Sequence, residues 1–375
     1  MTERAEDYDY PYPVGAVAQV PAARREGARL LVLDRAAAAT DRATERLAGR
    51  PAGSLSDRGV TELPSLLRPG DLLVLNETWV APARLVARRA SGGRVSVLVL
   101  AARARGATVL LGARGTPLPG ERLDVAGDTW RIERALGAGR FEIAVESGRD
   151  PARLLADVGR MPLPPYITRD PEQDGRDALD RERYQTVYAR SETDVAPDDA
   201  PGAWHAAVAA PTAGLHLTPA LLAAAQARGA RVGRLRLDVG EGTFRPLRGG
   251  TLDEHVMHTE RYVVPEALAR AYAETRAAGG RVVAVGTTAV RALESAVAAD
   301  GATLAAGAAA TGLFIRPGHR FLGVDALLTN FHQPRSTLLV LVSAFAGRDA
   351  VSAAYRHAIG SGYRLFSYGD AMFIA

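Results

Sequence analysis

Two reactive amino acids are missing from this sequence of 375 residues. It contains no cysteine, which excludes disulfides, thiolate nucleophiles, iron–sulfur clusters and cysteine-ligated zinc sites. It also contains no lysine, since all 46 basic residues are arginine. A Schiff-base lysine and a P-loop lysine are therefore excluded. The GxGxxG pattern of dinucleotide-binding folds is absent as well.

Long apolar segments are also lacking. The longest one, at 337–346, is about half the length that a bilayer requires. The first twelve residues are acidic and rich in tyrosine, whereas a signal peptide is basic and then apolar. The sequence therefore predicts a cytoplasmic location and no membrane partner.

The composition is that of a globular protein large enough for two domains. Hydrophobic residues make up 47% of the chain, and the formal net charge is only +4. The many arginines have two interpretations. They reflect the codon usage of a GC-rich genome, which the abundant alanine favours, or they bind the phosphates of RNA.

The pattern between residues 79 and 151 differs from the rest of the chain. Apolar and polar residues alternate there in short runs separated by glycine and proline, at 94–100, 108–111, 128–132 and 140–145. Such runs are typical of an all-β unit. We therefore predict a small barrel-like β domain, 79–151, inserted into a main domain formed by 1–78 and 152–375.

The main domain is predicted to be α/β, with helices around a mixed sheet. Beyond residue 151, apolar strand patterns alternate with helical ones, and 206–210 is predicted to be one of the strands. Residues 36–60 have no period and are predicted to form a loop, and residues 363–374 are predicted to be extended. The acidic segment 190–203 is predicted to be a flexible insert.

Four polar loops follow predicted strands, at 211–218, 239–244, 286–291 and 329–337, and the first three contain glycine. Glycine lets backbone amides approach a ligand closely, and three of the loops lead into helix N-termini, which favour carboxylate or phosphate. Because ligands collect at the strand ends of α/β folds, we expect one pocket here. It would include His216, Arg291, Glu294 and His332.

The polar side chains of these loops also have structural interpretations. His216 and His332 are either site residues or half-buried structural histidines. Arg291 and Glu294, three residues apart on a helix, form either a surface ion pair or part of the binding site.

A further group, His255, His258 and Glu260, has the spacing of metal ligands. The strand that follows places positions 258 and 260 on one face and 255 on the other. We therefore favour hydrogen bonding to substrate over a metal site.

Several long phrases in the sequence resemble one enzyme family. They include MPLPPYI at 161–167, AAPTAGLHLT at 209–218, EHVMHTE at 254–260, VGTTAVRALES at 285–295 and TNFHQPRSTLLVLVSAFAG at 329–347. Together with LRPGDLLVLNETWVAPARL at 67–85 and the terminal YRLFSYGDAMFI, they extend over almost the whole chain. They are similar to phrases of the S-adenosylmethionine:tRNA ribosyltransferase-isomerases of queuosine biosynthesis.

The resemblance implies an unusual reaction. The ribosyl part of S-adenosylmethionine moves to the aminomethyl group of a deazaguanine at the wobble position of the tRNA anticodon loop. It is rearranged to an epoxycyclopentanediol, giving epoxyqueuosine, and adenine and methionine leave. S-adenosylmethionine is thus a consumed co-substrate, and no metal or redox cofactor is implied.

The same resemblance suggests which residues bind and react. The sulfonium acidifies the adjacent ribose carbon, so a neutral histidine suits the base, and a carboxylic acid or histidine suits the acid that assists adenine departure. His216 is the first candidate for the base or for positioning the ribose, and His332 is the second. The residues expected to bind substrate are Asn76, Arg84, Pro211, Thr212, Ala213, Gly214, Gly240, Gly242, Thr243, Phe244, His255, His258, Glu260, Gly286, Thr287, Thr288, Arg291, Glu294, Asn330, Phe331, Ser336, Thr337, Tyr368 and Asp370.

The chain departs from the family pattern in several of these loops, and two of the departures add negative charge after the strand that ends near 237. Asp238 stands where the family has histidine, and Glu241 where it has a small residue, so both are acid candidates peculiar to this chain. Their added negative charge leaves two alternatives open, drift in an enzyme that still modifies tRNA or a paralogue that modifies a small molecule. A non-catalytic RNA-binding module is a third. No sequence feature predicts an oligomeric state.

Overall fold

The computed structural model describes residues 3–35, 54–170, 175–190, 204–205, 207–240, 242, 247 and 250–375. Apart from Arg190, the insert predicted at 190–203 lies outside the described residues, and so does most of the loop predicted at 36–60.

The larger sheet has nine strands within the described residues. In chain order they are β1 (Arg29–Asp34), β2 (Ser54–Gly59), β3 (Leu72–Asn76), β11 (Arg231–Leu237), β12 (Glu260–Val264), β13 (Val282–Val285), β14 (Gly307–Thr311), β15 (Ala326–Asn330) and β16 (Ala371–Ile374). Their order across the sheet is β14-β12-β11-β3-β13-β15-β16-β1-β2. The four strands β11, β3, β13 and β15 are parallel, so their carboxyl ends share one edge.

Helices cover both faces of this sheet. In chain order the helices of the described residues are α1 (Leu63–Leu66), α2 (Pro151–Val158), α3 (Asp177–Arg183), α4 (Pro219–Ala227), α5 (Glu266–Ala277), α6 (Thr287–Ala296), α7 (Thr337–Ala346) and α8 (Arg348–Gly360). Helices α5 to α8 pack on the face that contains Leu72 and Val74. Helices α1 and α4 pack on the face of Leu73 and Leu75. The central strands are therefore buried on both sides, which explains their continuous apolar sequences.

The second sheet closes into a barrel. Its strands are β4 (Arg84–Arg89), β5 (Arg94–Arg103), β6 (Gly106–Ala113), β7 (Arg122–Val125), β8 (Asp128–Gly137), β9 (Arg140–Val145) and the short β10 (Trp204–His205). Antiparallel pairing runs from β5 through β4, β7, β8, β9 and β6 back to β5. The short β10 pairs with the C-terminal end of β5. Alternate residues point inward around Trp130. The predicted α/β fold with a barrel-like unit is confirmed, and the domain limits stay a prediction.

Three predicted elements differ from the structure. Residues 54–59 of the predicted loop form β2, whose polar sequence lacks apolar alternation because it is an edge strand held by backbone bonds to β1. Of the strand predicted at 206–210, Ala207 makes only an isolated bridge to Val80. The extended segment predicted at 363–374 is a strand only at Ala371–Ile374, because Phe366 has a positive φ of 69° that turns the chain.

None of the described helices is by itself long and apolar enough to cross a bilayer. Helices α7 and α8 reach that length and composition only together, and they meet at a bend of 113°.

Candidate active site

The predicted loops converge at the shared carboxyl edge of the parallel strands. Residues from all four of them line one small cavity, and the loop that follows β11 contributes Val239. Asn330, the last residue of β15, connects two loops, because its Oδ1 accepts a hydrogen bond from Thr212 Oγ1 at 2.8 Å. The residues lining the cavity are Ala210, Pro211, Thr212, Ala213, Val239, Gly286, Thr287, Thr288, Thr329, Asn330, His332 and Leu338.

A second small cavity adjoins the first, since Thr212, Asn330, His332 and Leu338 line both. Its other walls are Tyr166, Phe331, Gln333, Ser336, Phe366 and Ser367. Ser336 also begins helix α7 by accepting a hydrogen bond from the N–H of Leu339 at 3.2 Å. The two cavities together form the candidate active site.

His216 is buried directly behind Asn330. Because the Asn330 carbonyl is occupied by Thr212, its amide nitrogen faces the ring and donates to His216 Nε2 at 3.2 Å. The backbone carbonyl of Arg25 accepts from the other side of the ring. Burial, and secondarily the nearby charge of Arg364, lower the pKa of His216 to about 4. The imidazole is therefore neutral and fixed in one tautomer.

His332 borders both cavities. Its Nε2 lies 2.7 Å from Thr329 Oγ1, and burial lowers its pKa to about 3. Two tyrosines fix its backbone: the Tyr355 hydroxyl accepts from its N–H at 2.8 Å, and the Tyr10 hydroxyl donates to its carbonyl. This second neutral histidine thus faces the space that a ligand would fill.

The low pKa values predict acid sensitivity of the fold. Below about pH 6.5 the unfolded state protonates both histidines, whereas the folded state does so only near pH 4 for His216 and pH 3 for His332. The contribution of these two histidines to the free energy of unfolding is therefore fully present above about pH 6.5. As the pH falls below that value, the contribution of each decreases by about 1.4 kcal/mol per pH unit. At pH 5 this amounts to about 2 kcal/mol for each histidine.

Urea unfolding at pH 7.5 and pH 5 measures this loss. The variant His216→Asn, which lacks one of the two groups, should lose about 2 kcal/mol less than the wild type over the same interval. Equal losses in both proteins would contradict a buried neutral His216.

Glu260 organises the neighbouring group of polar residues. Its carboxylate pairs with the buried Arg291, accepts from the Gly240 N–H at 2.8 Å and lies 2.9 Å from His258 Nε2. Burial alone would raise the pKa of Glu260, but His258, Arg291 and the Gly240 N–H together lower it. Glu260 is thus an ionised anchor for the loop after β11. His255 packs against Phe314, and no group of three metal-binding side chains occurs among the described residues.

The loop after β11 contains the two acidic departures from the family pattern. Asp238 Oδ1 accepts from Thr78 Oγ1 and pairs with Arg236, each at 2.8 Å, so a cation offsets its charge. Gly242 lies so close to His258 that a Cβ at this position would be 2.4 Å from the ring. Glu241, Thr243 and Phe244 lie outside the described residues.

Asn76 lies at the edge of the site and connects the ends of two strands. Its amide bonds both backbone groups of Leu237, with 2.9 Å contacts, and so joins the ends of β3 and β11. It also donates to Thr288 Oγ1 at 3.3 Å.

Five predicted site residues do not line either of the two cavities. Arg84 lines a separate cavity beside the barrel. The proposed pair of Arg291 and Glu294 does not form, because Glu294 accepts instead from the N–H groups of Leu322 and Gly323, at 3.1 and 2.9 Å. Tyr368 donates to Asp180, and Asp370 accepts from two backbone N–H groups.

Two further predicted residues lie behind the cavity walls. Gly214 packs against Tyr188, whose hydroxyl would be 2.0 Å from an added Cβ. Thr337 follows the cap of α7, and its buried hydroxyl has no partner among the described residues.

Several residues that contact the site were not predicted from the sequence. Tyr10 is 322 positions from the histidine that it contacts, and Tyr355 is in the middle of α8. Tyr166 lies within the phrase MPLPPYI, which was recognised only as part of the resemblance. The tyrosine-rich N-terminal segment was the one available signal.

Known proteins are similar to this chain over almost its whole length. The family model described as a queuosine biosynthesis protein matches residues 5–374. A protein of Anaeromyxobacter dehalogenans named S-adenosylmethionine:tRNA ribosyltransferase-isomerase is 48% identical over 99% of both chains. The equally named protein of Cupriavidus metallidurans is 46% identical over 98% of this chain and 97% of its own.

A solved structure is similar over the same extent. The crystal structure of an S-adenosylmethionine tRNA ribosyltransferase from Thermotoga maritima covers 98% of this chain and 100% of its own, with 30% sequence identity and a TM-score of 0.51.

Proposed function

The chain belongs to the queuosine biosynthesis protein family, and we propose that it transfers the ribosyl group of S-adenosylmethionine to tRNA at the two cavities of the candidate active site. Its activity is that of an S-adenosylmethionine:tRNA ribosyltransferase-isomerase. The observation that supports this location best is Asn330, which joins the loop of Thr212 to a neutral, buried His216 beside His332. The proposed acceptor is the deazaguanine of the tRNA anticodon loop, and the proposed location is the cytoplasm.

One end of the co-substrate fits the N-terminus of α6. This helix begins after Gly286 without any side-chain cap, whereas Ser336 caps α7. The first N–H groups of α6, beside Thr287 and Thr288, therefore remain available at the cavity wall. They suit the carboxylate of the methionine part of S-adenosylmethionine.

The two histidines suit different tasks. His332 faces both cavities and is neutral, so it is the side chain best placed to remove the ribose proton that the sulfonium acidifies. His216 has both sides of its ring engaged, which supports a role in positioning the ribose through Asn330. Asp238 is held by Thr78 and Arg236, and it stays a candidate acid.

Product analysis tests this function directly. The protein is incubated with S-adenosylmethionine alone, with unmodified tRNA and with tRNA that contains the aminomethyl-deazaguanine. We expect adenine and methionine, followed by mass spectrometry, only in the third reaction. Background levels in all three would contradict the proposal, and so would equal release without tRNA. Nothing in the geometry favours the small-molecule acceptor, and Arg236 offsets the charge of Asp238 that suggested it.

A further inference from the structure

A larger cavity, of about 630 Å³, lies beside the barrel. Strands β4, β5 and β6 form one wall, and the segment 160–169 together with α3 forms the other. The floor is apolar and includes Met161, Leu163 and Ile167. Five arginines line the cavity, namely Arg84, Arg94, Arg114, Arg160 and Arg169.

The charges of this cavity are unbalanced. Its two acidic side chains are both engaged, Asp180 by Arg169 at 2.6 Å and Asp177 by Arg181 at 3.0 Å. Arg94, Arg114 and Arg160 have no acidic partner in the part of the chain that the structure describes. Arg84 donates to the Leu163 carbonyl at 3.1 Å, and its buried Nε has no partner there. The cavity therefore presents cations that lack a counter-ion.

The sequence that forms the barrel and its border is also positively charged. Residues 84–160 contain 14 arginines and 8 acidic residues, a net charge of +6, while the whole chain has +4. The positive charge of this protein is thus concentrated in and around the barrel, and arginine binds phosphates bidentately.

One segment separates this cavity from the candidate active site. Tyr166 lines the active-site cavity, while its neighbours Pro165 and Ile167 line the arginine cavity. A second connection runs from Asp180 to the hydroxyl of Tyr368, at 3.0 Å, next to Ser367 of the active site. A single peptide segment therefore separates the arginine cavity from the candidate active site.

We propose that the arginine cavity binds a nucleotide of the RNA substrate that lies close to the acceptor base, with its phosphates on Arg94, Arg114 and Arg160 and its base or ribose on the apolar floor. This inference rests on the proposed function, because it assumes an RNA acceptor at the active site. The phosphate contacts position the RNA, so that the acceptor base reaches the adjacent catalytic loops.

The test compares two variants that remove equal charge from the barrel. Arg94→Ala/Arg114→Ala alters the cavity, and Arg122→Ala/Arg134→Ala is the matched control. Arg122 and Arg134 are ion-paired side chains outside the cavity, 65% and 66% exposed. The probe is a synthetic anticodon stem–loop RNA, and Kd is measured over a series of salt concentrations.

We expect the cavity variant to bind the RNA about tenfold or more weakly, with the slope of log K against log salt reduced by about 1.4, or about 0.7 for each lost phosphate contact. In turnover assays we expect the cavity variant to have a higher KM for RNA and an unchanged KM for S-adenosylmethionine. The control should change Kd by less than about threefold, because its arginines are already neutralised by glutamates.

Equal weakening in both variants would overturn the proposal, since it would indicate general charge attraction. Unchanged RNA binding with arginine-dependent binding of AMP would also overturn it, and would identify a site for free nucleotides. Both results concern binding only. A wild-type protein that releases no adenine with deazaguanine tRNA would instead contradict the proposed function, whatever the Kd values are.

Discussion

Replacement of His332 by alanine is expected to reduce kcat about a hundredfold or more, while the Kd for S-adenosylmethionine changes little. A lost general base costs a factor in this range, and His332 is the neutral imidazole that borders both cavities. Single-turnover release of adenine, measured at saturating RNA, reports the chemical step. The matched control is His357→Ala, which removes a surface histidine that contacts Asp57 and should leave kcat unchanged.

The variant His216→Ala distinguishes the two histidines. If His216 acts through Asn330, its loss lowers kcat but retains the acidic limb of the pH–rate profile that the base produces. Normal turnover of His332→Ala, together with loss of that limb in His216→Ala, would show that His216 is the base.

Arg291→Met is expected to lower the free energy of unfolding by about 3–5 kcal/mol, because it leaves the charge of Glu260 buried without its cation. Both side chains are almost fully buried, with exposed fractions of 4% and 1%. The remaining partners of Glu260, His258 and the Gly240 N–H, replace only part of the lost interaction. Urea unfolding at pH 7.5 measures the effect.

Arg270→Met supplies the comparison on the protein surface. Arg270 pairs with Glu266 at 3.2 Å, but the two side chains are 67% and 83% exposed, so the expected cost is below about 1 kcal/mol. The double variant Glu260→Leu/Arg291→Met removes both buried charges and should recover part of the stability. Equal costs for Arg291→Met and Arg270→Met would contradict the role assigned to the buried pair.

Features with a local signal in the sequence were predictable. Alternation at 94–100 and 140–145 predicted the barrel strands β5 and β9. The strand–loop–helix order also predicted which loops meet, because parallel strands end at one edge.

Features that depend on distant partners were not predictable from local patterns. Arg291 and Glu294 have the spacing of a helical ion pair, yet each finds a better partner in the tertiary structure, Glu260 for one and two backbone N–H groups for the other. The contact of Tyr10 with His332 likewise joins residues 322 positions apart, and the tyrosine-rich start of the chain does not indicate its partner. Charge and spacing identify candidate residues, but burial decides which partners they take.

The place of β16 in the large sheet has a consequence for folding on the ribosome. This strand is translated after all the others, yet it lies inside the sheet, between β1 and β15. Until residues 371–374 have left the exit tunnel, the nascent chain exposes two unpaired strand edges, and β1 with β2 has no sheet to join. The barrel, whose strands β4 to β9 are all synthesised before residue 146, can close much earlier. Synthesis therefore passes through a stage in which a closed barrel is attached to an incomplete sheet. At this stage the unpaired edges of β1 and β15 are open to pairing with other chains.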